Sequence, residues 1–180
     1  MESPVFMGWT LIPVDLVVRA WTDVQFKHEF LKWPTQTLQE NGVPLPSEVF
    51  FCVVENTDNS HYLVLPNRPY HTFNWDRQKV EEVLRKETGN DNSLEYWLPV
   101  KAMVEAFFNP DFKKRLILDA NSALREMGYE TSGSHYTVLE NTESTFHLIL
   151  PANKWGNRSL SQDELAELLV QELLAETTFH

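Results

Sequence analysis

Cysteine is almost missing from this chain: among 180 residues a single one, Cys52, carries a thiol. One thiol can form no intrachain disulfide and no multi-cysteine metal site. Positive charge is also scarce. Fifteen Lys and Arg stand against 26 Asp and Glu, giving a formal net charge of −11, and such a surface repels phosphate backbones because nucleic-acid affinity rests on Lys and Arg releasing counterions. Nucleic acid is therefore not the expected partner. Glu2 stands where a signal peptide needs a basic segment, and Asp15 and Arg19 interrupt the first apolar run. Neither a signal peptide nor a membrane span is expected, and a cytoplasmic location follows by default. The six glycines fall at turns, so none builds a loop that cradles phosphate.

What is present suits a folded chain. At this length about 70% of the unfolded surface can be buried, and 42% apolar residues with no low-complexity tract supply the core. Residues 1–9 read as a loosely packed lead-in. Cys52 lies in the apolar run 49–54, which reads as a strand burying its thiol.

The dominant feature is a repeat. Phe26-Lys27 recurs as Phe112-Lys113, Leu38 as Leu124 and Gly42 as Gly128, each 86 residues later. Glu55-Asn56-Thr57 recurs as Glu140-Asn141-Thr142, and Leu65-Pro66 as Leu150-Pro151, now 85 residues later. The one-residue change lies in the loop after the glycine, where length is best tolerated. The repeat begins earlier still. Val14, Val17, Val18 and Trp21 follow helical spacing behind Pro13, and Val100, Met103, Val104 and Phe107 do so behind Pro99.

Asp23 and Asn109 are expected N-caps of a second helix, and Leu38 and Leu124 the inward residues of a short third one that ends at the glycine. The runs 49–55 and 62–65, separated by Asn56, Thr57, Asp58, Asn59 and Ser60, predict a β-hairpin, and residues 136–142 with 146–150 predict its copy. Pro66 and Pro151 should end the return strands, since proline donates nothing to a ladder. Ser161 and Glu164 form a capping box for a final helix whose stripe is Leu165, Leu168, Leu169 and Leu173. Its acidic residues Asp163, Glu164, Glu167, Glu172 and Glu176 read as a solvated face. The organisation expected is a first repeat over 8–88, a linker over 86–93 and a second repeat over 94–176. The fold class expected is α+β, two helix-helix-helix-hairpin-helix repeats packed as one pseudo-symmetric body.

Of the six histidines, His135 and His147 could meet across the second hairpin, but a pair without a third ligand makes a poor metal site. No Ser-His-Asp or Cys-His arrangement has local support, so no catalytic residue is assigned. Six tryptophans, Trp9, Trp21, Trp33, Trp75, Trp97 and Trp155, fill the core and the seam between repeats, with Trp75 and Trp155 also candidates for a partner surface beside Tyr70, His71 and Phe73.

The succession of a Phe-Lys helix, a Leu-x-x-x-Gly turn, a strand ending Glu-Asn-Thr and a return strand ending Leu-Pro resembles the α-subunit of nitrile hydratase. It resembles equally the related leader-peptide family, called NHLP or proteusin-type, which opens precursors of ribosomally made, modified peptides. The resemblance covers most of the chain and is strongest over 109–151. In the hydratase it implies a three-cysteine claw after the return strand, holding cobalt or iron; here residues 148–151 and 63–66 read Leu-Ile-Leu-Pro and Leu-Val-Leu-Pro, and soft thiolate ligands are absent. The leader branch implies a short acidic helix followed by a Gly-Gly cleavage site, and no Gly-Gly occurs in the chain. The function expected is that of a non-catalytic leader-like recognition protein, bound by a peptide-modifying enzyme or a peptidase-containing exporter, with no cofactor and no metal. Tyr70, Phe73, Trp75, Trp155, Leu165 and Leu168 are the candidate contacts. The alternatives are a true precursor modified in the tail 177–180, and a degenerate hydratase-like subunit whose metal comes from a partner chain.

Overall fold

Proline opens the first helix and its later counterpart. In the computed structural model, which describes residues 4–7, 11–89, 94 and 98–178, Pro13 and Pro99 are the N-caps of α1 (Val14–Thr22) and α5 (Val100–Phe108). Near a helix entry a missing N–H removes no intrahelical bond. Asp23 caps α2 (Val24–Lys32) by accepting from the N–H groups of Gln25 and Phe26, and Asn109 caps α6 (Pro110–Leu118) by accepting from Phe112. The short helices α3 (Pro34–Glu40) and α7 (Ala120–Glu126) follow, burying Leu38 and Leu124. Just beyond each, the chain turns on a glycine at positive φ, +79° at Gly42 and +92° at Gly128. A Cβ would be strained there by the backbone conformation alone.

Of four strands, β1 (Phe50–Glu55), β2 (Ser60–Leu65), β3 (His135–Glu140) and β4 (Thr145–Leu150), β2 and β4 end directly before Pro66 and Pro151 as expected, while β3 stops at Glu140, two residues short of the expected 142. The hairpins do not form. β1 pairs in parallel with β4, from Phe50↔Thr145 to Glu55↔Leu150, and β2 pairs in parallel with β3, from Ser60↔His135 to Leu65↔Glu140. The two registers are interchanged by an 85-residue shift, so each two-stranded sheet takes one strand from each half of the chain.

A buried asparagine stands at the crossing. Asn56 Oδ1 accepts the N–H of Tyr62 at 2.8 Å, the amide that would otherwise seek a β1 carbonyl, while the N–H of Asn56 itself donates to Leu150 O on β4 at 2.9 Å. The turn between is closed locally, with Thr57 N donating to Ser60 O and Ser60 N donating to Thr57 Oγ1. The second crossing repeats the pattern. Asn141 Oδ1 accepts from His147 N at 2.9 Å, Asn141 N donates to Leu65 O at 2.9 Å, and Thr142 N donates to Thr145 O at 3.0 Å. In both places the carboxamide stands in for the backbone and sends the chain to the other sheet. The outer flanks are held by side chains too: Thr35 Oγ1 accepts from Phe51 N and Asn121 Oδ1 from Tyr136 N. Lys27 pairs with Glu55 at 3.0 Å and Lys113 with Glu140 at 2.5 Å, so every residue of the Glu-Asn-Thr motif has a structural task.

Two cores result. Phe51, Val53, Leu148 and Leu150 pack with α1, α2, α3 and Leu169 of α8 (Gln162–Thr178). Leu63, Leu65 and Val138 pack with α5, α6, α7 and with Val80 and Leu84 of α4 (Arg77–Thr88). Helices this short are marginal alone, and burial on the sheets holds them. The capping box of α8 is present, Glu164 N donating to Ser161 Oγ and Ser161 N to a Glu164 carboxylate oxygen.

Several expectations require correction. The lead-in is not loose over its described part. Phe6 and Met7 are buried in the second core, Phe6 stacks on Phe107 with ring centroids 5.7 Å apart, and the Glu87 carboxylate accepts from the N–H groups of Val5 and Phe6. Lys86 and Glu87 do not begin a linker, because α4 continues to Thr88 and is closed by Gly89 at φ +64°; residues 90–93 lie outside the described residues. Cys52 is exposed, since strand alternation turns Phe51 and Val53 inward and their neighbour out. His135 and His147 sit in different sheets, paired in register with Ser60 and Cys52. Among the described residues no helix is long and apolar enough to cross a membrane.

Candidate functional site

The loop after β2 carries two of the exposed aromatic residues; Phe50 on β1 and Trp33, which the sequence placed in the core, are also exposed. Pro66 ends the strand, and Pro69 leads into a single 3-10 turn over Tyr70–Thr72, inside which Thr72 is fully buried and its hydroxyl donates to Pro69 O at 2.6 Å. This fixes the loop and throws Tyr70 and Phe73 outward, 80% and 57% exposed, with ring centroids 5.0 Å apart. Trp75 is half-buried against the second core, edge-on to Phe6 and to His71, with the Lys79 ammonium 4.2 Å from its ring centroid.

Arg68 holds the same loop to α5. Its Nη2 donates to Thr72 O at 3.0 Å and its Nη1 to Phe107 O at 3.2 Å, while its guanidinium lies 4.5 Å from the ring centroid of Phe108 and 5.2 Å from that of Phe73. Its Nε–H is buried and has no hydrogen-bond partner among the described residues. Among the described residues no carboxylate forms an ion pair with it; Glu105, the acid on the adjacent helix face, is claimed by Asn109 and Arg77. Those contacts, the Asn109 hydrogen bond first, hold the Glu105 carboxyl below its usual range, whereas burial alone pulls the Arg68 guanidinium down. A pocket of about 350 Å³ opens here, lined by Arg68, Phe73, Ala106, Phe107, Pro110 and Lys113.

The other sequence candidates lie apart from this pocket. Trp155 is half-buried against Trp21, their ring centroids 6.1 Å apart, and the Trp21 indole donates to Pro151 O at 2.8 Å. Leu165 is 4% exposed and so belongs to the interior rather than to a docking face. Leu168 is half-buried, and the exposed apolar residues of α8 are instead Val170 and Leu174. Trp9, Trp97 and the tail residues 179–180 lie outside the described residues. The structure thus brings together Tyr70, Phe73 and, behind them, Trp75. Sequence reasoning missed Arg68 and Lys113; the one available signal was a basic residue inside the aromatic loop, Arg68-Pro69-Tyr70.

Solved structures similar to this arrangement of helices and small sheets include nitrile hydratases. A double mutant of the Fe-type nitrile hydratase from Comamonas testosteroni Ni1 superposes with a TM-score of 0.51 at 21% identity, covering 89% of this chain and 68% of that one. The fold is therefore a mixed α/β fold like that of the nitrile hydratase alpha subunit. The family described as nitrile hydratase, alpha chain, matches residues 21–89 and 95–153, and the chain belongs to it. It is 25% identical over 160 residues to the cobalt-containing nitrile hydratase subunit alpha of Pseudonocardia thermophila, covering 87% of this chain and 67% of that one. It is 32% identical over 62 residues to thiocyanate hydrolase subunit gamma of Thiobacillus thioparus, covering 34% of this chain and 26% of that one. The matched stretch thus spans from about a quarter to two thirds of these relatives' length.

Relatives named as cobalt-containing and Fe-type imply a metal, and the residues here do not fit one. After β4 the chain reads Leu150, Pro151, Ala152 and Asn153, without a thiolate, and the single thiol, Cys52, is exposed on β1. Among the described residues no group of three His, Cys, Asp or Glu could hold a metal ion. His147, the histidine next to Cys52, is occupied by Asn141, whose Oδ1 lies 3.0 Å from its Nδ1, and burial lowers its pKa.

Proposed function

We propose that this chain is a non-catalytic, cytoplasmic recognition protein made of two diverged copies of the family's unit, and that a peptide-modifying enzyme or a peptidase-containing exporter binds it, as the leader-peptide branch is bound. One observation carries the reading. The chain has Leu-Pro at the end of both return strands and a single thiol, Cys52, too few for a set of thiolate donors, and the loop following the first of those strands presents Tyr70 and Phe73 to solvent. Exposed, rigid aromatic residues are the usual anchors of protein interfaces. The exchange of strands under an 85-residue shift supports the duplication, and the docking face runs along the 3-10 turn rather than along Leu165.

The test is calorimetry of the purified chain against peptide-modifying enzymes and exporter peptidase domains encoded beside its gene. Saturable binding that Tyr70→Ala/Phe73→Ala weakens at least tenfold is expected; absence of binding to all of them overturns the recognition role. Expression in cobalt- or iron-supplemented medium tests the other half. One metal ion per chain together with nitrile or thiocyanate turnover would return the protein to the hydratase class.

A further inference from the structure

The pocket under Phe73 lies where corresponding positions of the two halves of the chain differ. Trp21 and Trp155 correspond, at offsets of 86 and 85 residues, to Phe107 and Tyr70. In the first case Trp155 packs over Trp21 and closes the space. In the second, Tyr70 packs at a tilt on Phe73 and stays 80% exposed, and Phe107, with Phe6 stacked on it, lines the pocket. Asn153, which only accepts the N–H of Trp155, is the counterpart of Arg68. Where the one site has a pair of indoles and an asparagine, the other has a pocket lined by a guanidinium.

Among the described residues the charges of that cavity do not cancel. Lys113 is compensated by Glu140 at 2.5 Å. Arg68 has backbone carbonyls on two of its five N–H groups and aromatic faces around it, but no carboxylate among the described residues. A desolvated guanidinium without a counter-ion favours an anion, and the planar fork matches a carboxylate. Phe73, Phe107 and Pro110 form flat apolar walls, and the volume of about 350 Å³ lies at the small end of ligand pockets. We propose that this pocket binds an organic carboxylate carried on a flat apolar body, either a free aromatic acid or the C-terminal carboxylate of a peptide ending in an aromatic residue. The inference does not rest on the recognition role, because a free acid tests it.

The experiment is an amide NMR titration of the full chain with benzoate, benzamide, acetate, and N-acetyl-Gly-Phe with a free or amidated C-terminus. Benzoate should saturate with a dissociation constant of about 1 mM and shift the amides of Arg68, Phe73, Phe107 and Lys113, with benzamide and acetate each at least tenfold weaker. Tighter binding of the free-acid peptide than of benzoate identifies a peptide terminus as the source; benzoate binding without peptide binding identifies a small acid. Phe73 is exposed, so its variants should fold. Phe73→Glu places a carboxylate beside Arg68 and should abolish benzoate binding, while Phe73→Gln should retain it. Benzamide or acetate binding equal to benzoate, shifts elsewhere on the chain, no saturation, or equal binding by Phe73→Glu and Phe73→Gln overturns the proposal.

Discussion

Replacing Asn56 by alanine tests whether a side chain directs the strand exchange. Asn56 is 5% exposed, and its Oδ1 is the acceptor for the half-buried N–H of Tyr62 at 2.8 Å. Alanine leaves that donor without a partner where water reaches poorly, at a cost of about 1–3 kcal/mol. For a chain of this size each kcal/mol moves the melting temperature by roughly 2–4 °C, so a loss near 2 kcal/mol lowers it by about 4–8 °C. Asp58, in the same loop but exposed, is the control, and Asp58→Ala should change stability by no more than about 0.5 kcal/mol. Asn141→Ala should lose at least as much as Asn56→Ala, because Asn141 accepts from the backbone of His147 and also lies 3.0 Å from its ring. Urea unfolding with an unchanged slope gives the number. A loss below about 0.5 kcal/mol for both asparagines, equal to that of Asp58→Ala, would refute the reasoning, since that is what turn residues of ordinary hairpins would give.

Other consequences are simpler to measure. Cys52 should react with a thiol reagent in the native protein, one equivalent per chain without denaturant, because its side chain is exposed; protection until unfolding would contradict its place on β1. Phe6→Ala should destabilise the protein by about 3–5 kcal/mol, read from the urea midpoint, since the ring is buried against Trp75 and Phe107, whereas an unpacked lead-in would show no change. His147 has its pKa lowered by burial, so the unfolded chain binds that proton more readily. The contribution is therefore present above pH of about 6.5 and lost as pH falls below it. His147→Asn should show a smaller loss of stability between pH 7 and pH 5 than wild type; an equal loss would remove His147 from the titration.

Local features were legible because local chemistry sets them. Asp23 and Asn109 cap helices through N–H groups two or three residues away, Gly42 and Gly128 take a backbone conformation that penalises other residues, and Ser161 with Glu164 closes a box within one turn. Lys27 and Lys113, the Glu-Asn-Thr motif and the Leu-Pro ends were visible as a repeat, although their tasks were not. Of the site, Tyr70, Phe73 and Trp75 could be singled out because the loop was aromatic and followed a strand-ending proline. Arg68 could not, since its meaning comes from Phe107 and Phe108, far along the chain.

By itself, then, the sequence determined the helices, their caps and the ends of the return strands, which follow from residues within a few positions of each other, and it shows the same motifs recurring 85 or 86 residues apart. It also determined that no cluster of thiolates is present. Strand partnership was decided only in the tertiary structure. The alternation of Phe51, Val53, Leu63 and Leu65 serves an antiparallel hairpin and a parallel exchange equally well, and the choice rests on where two buried carboxamides send their neighbours' amides. The pocket was decided there as well. Trp155 packs on Trp21, whereas Tyr70 packs on Phe73 and leaves one side of Phe107 to line the pocket, a difference of side-chain packing that no short stretch of sequence records.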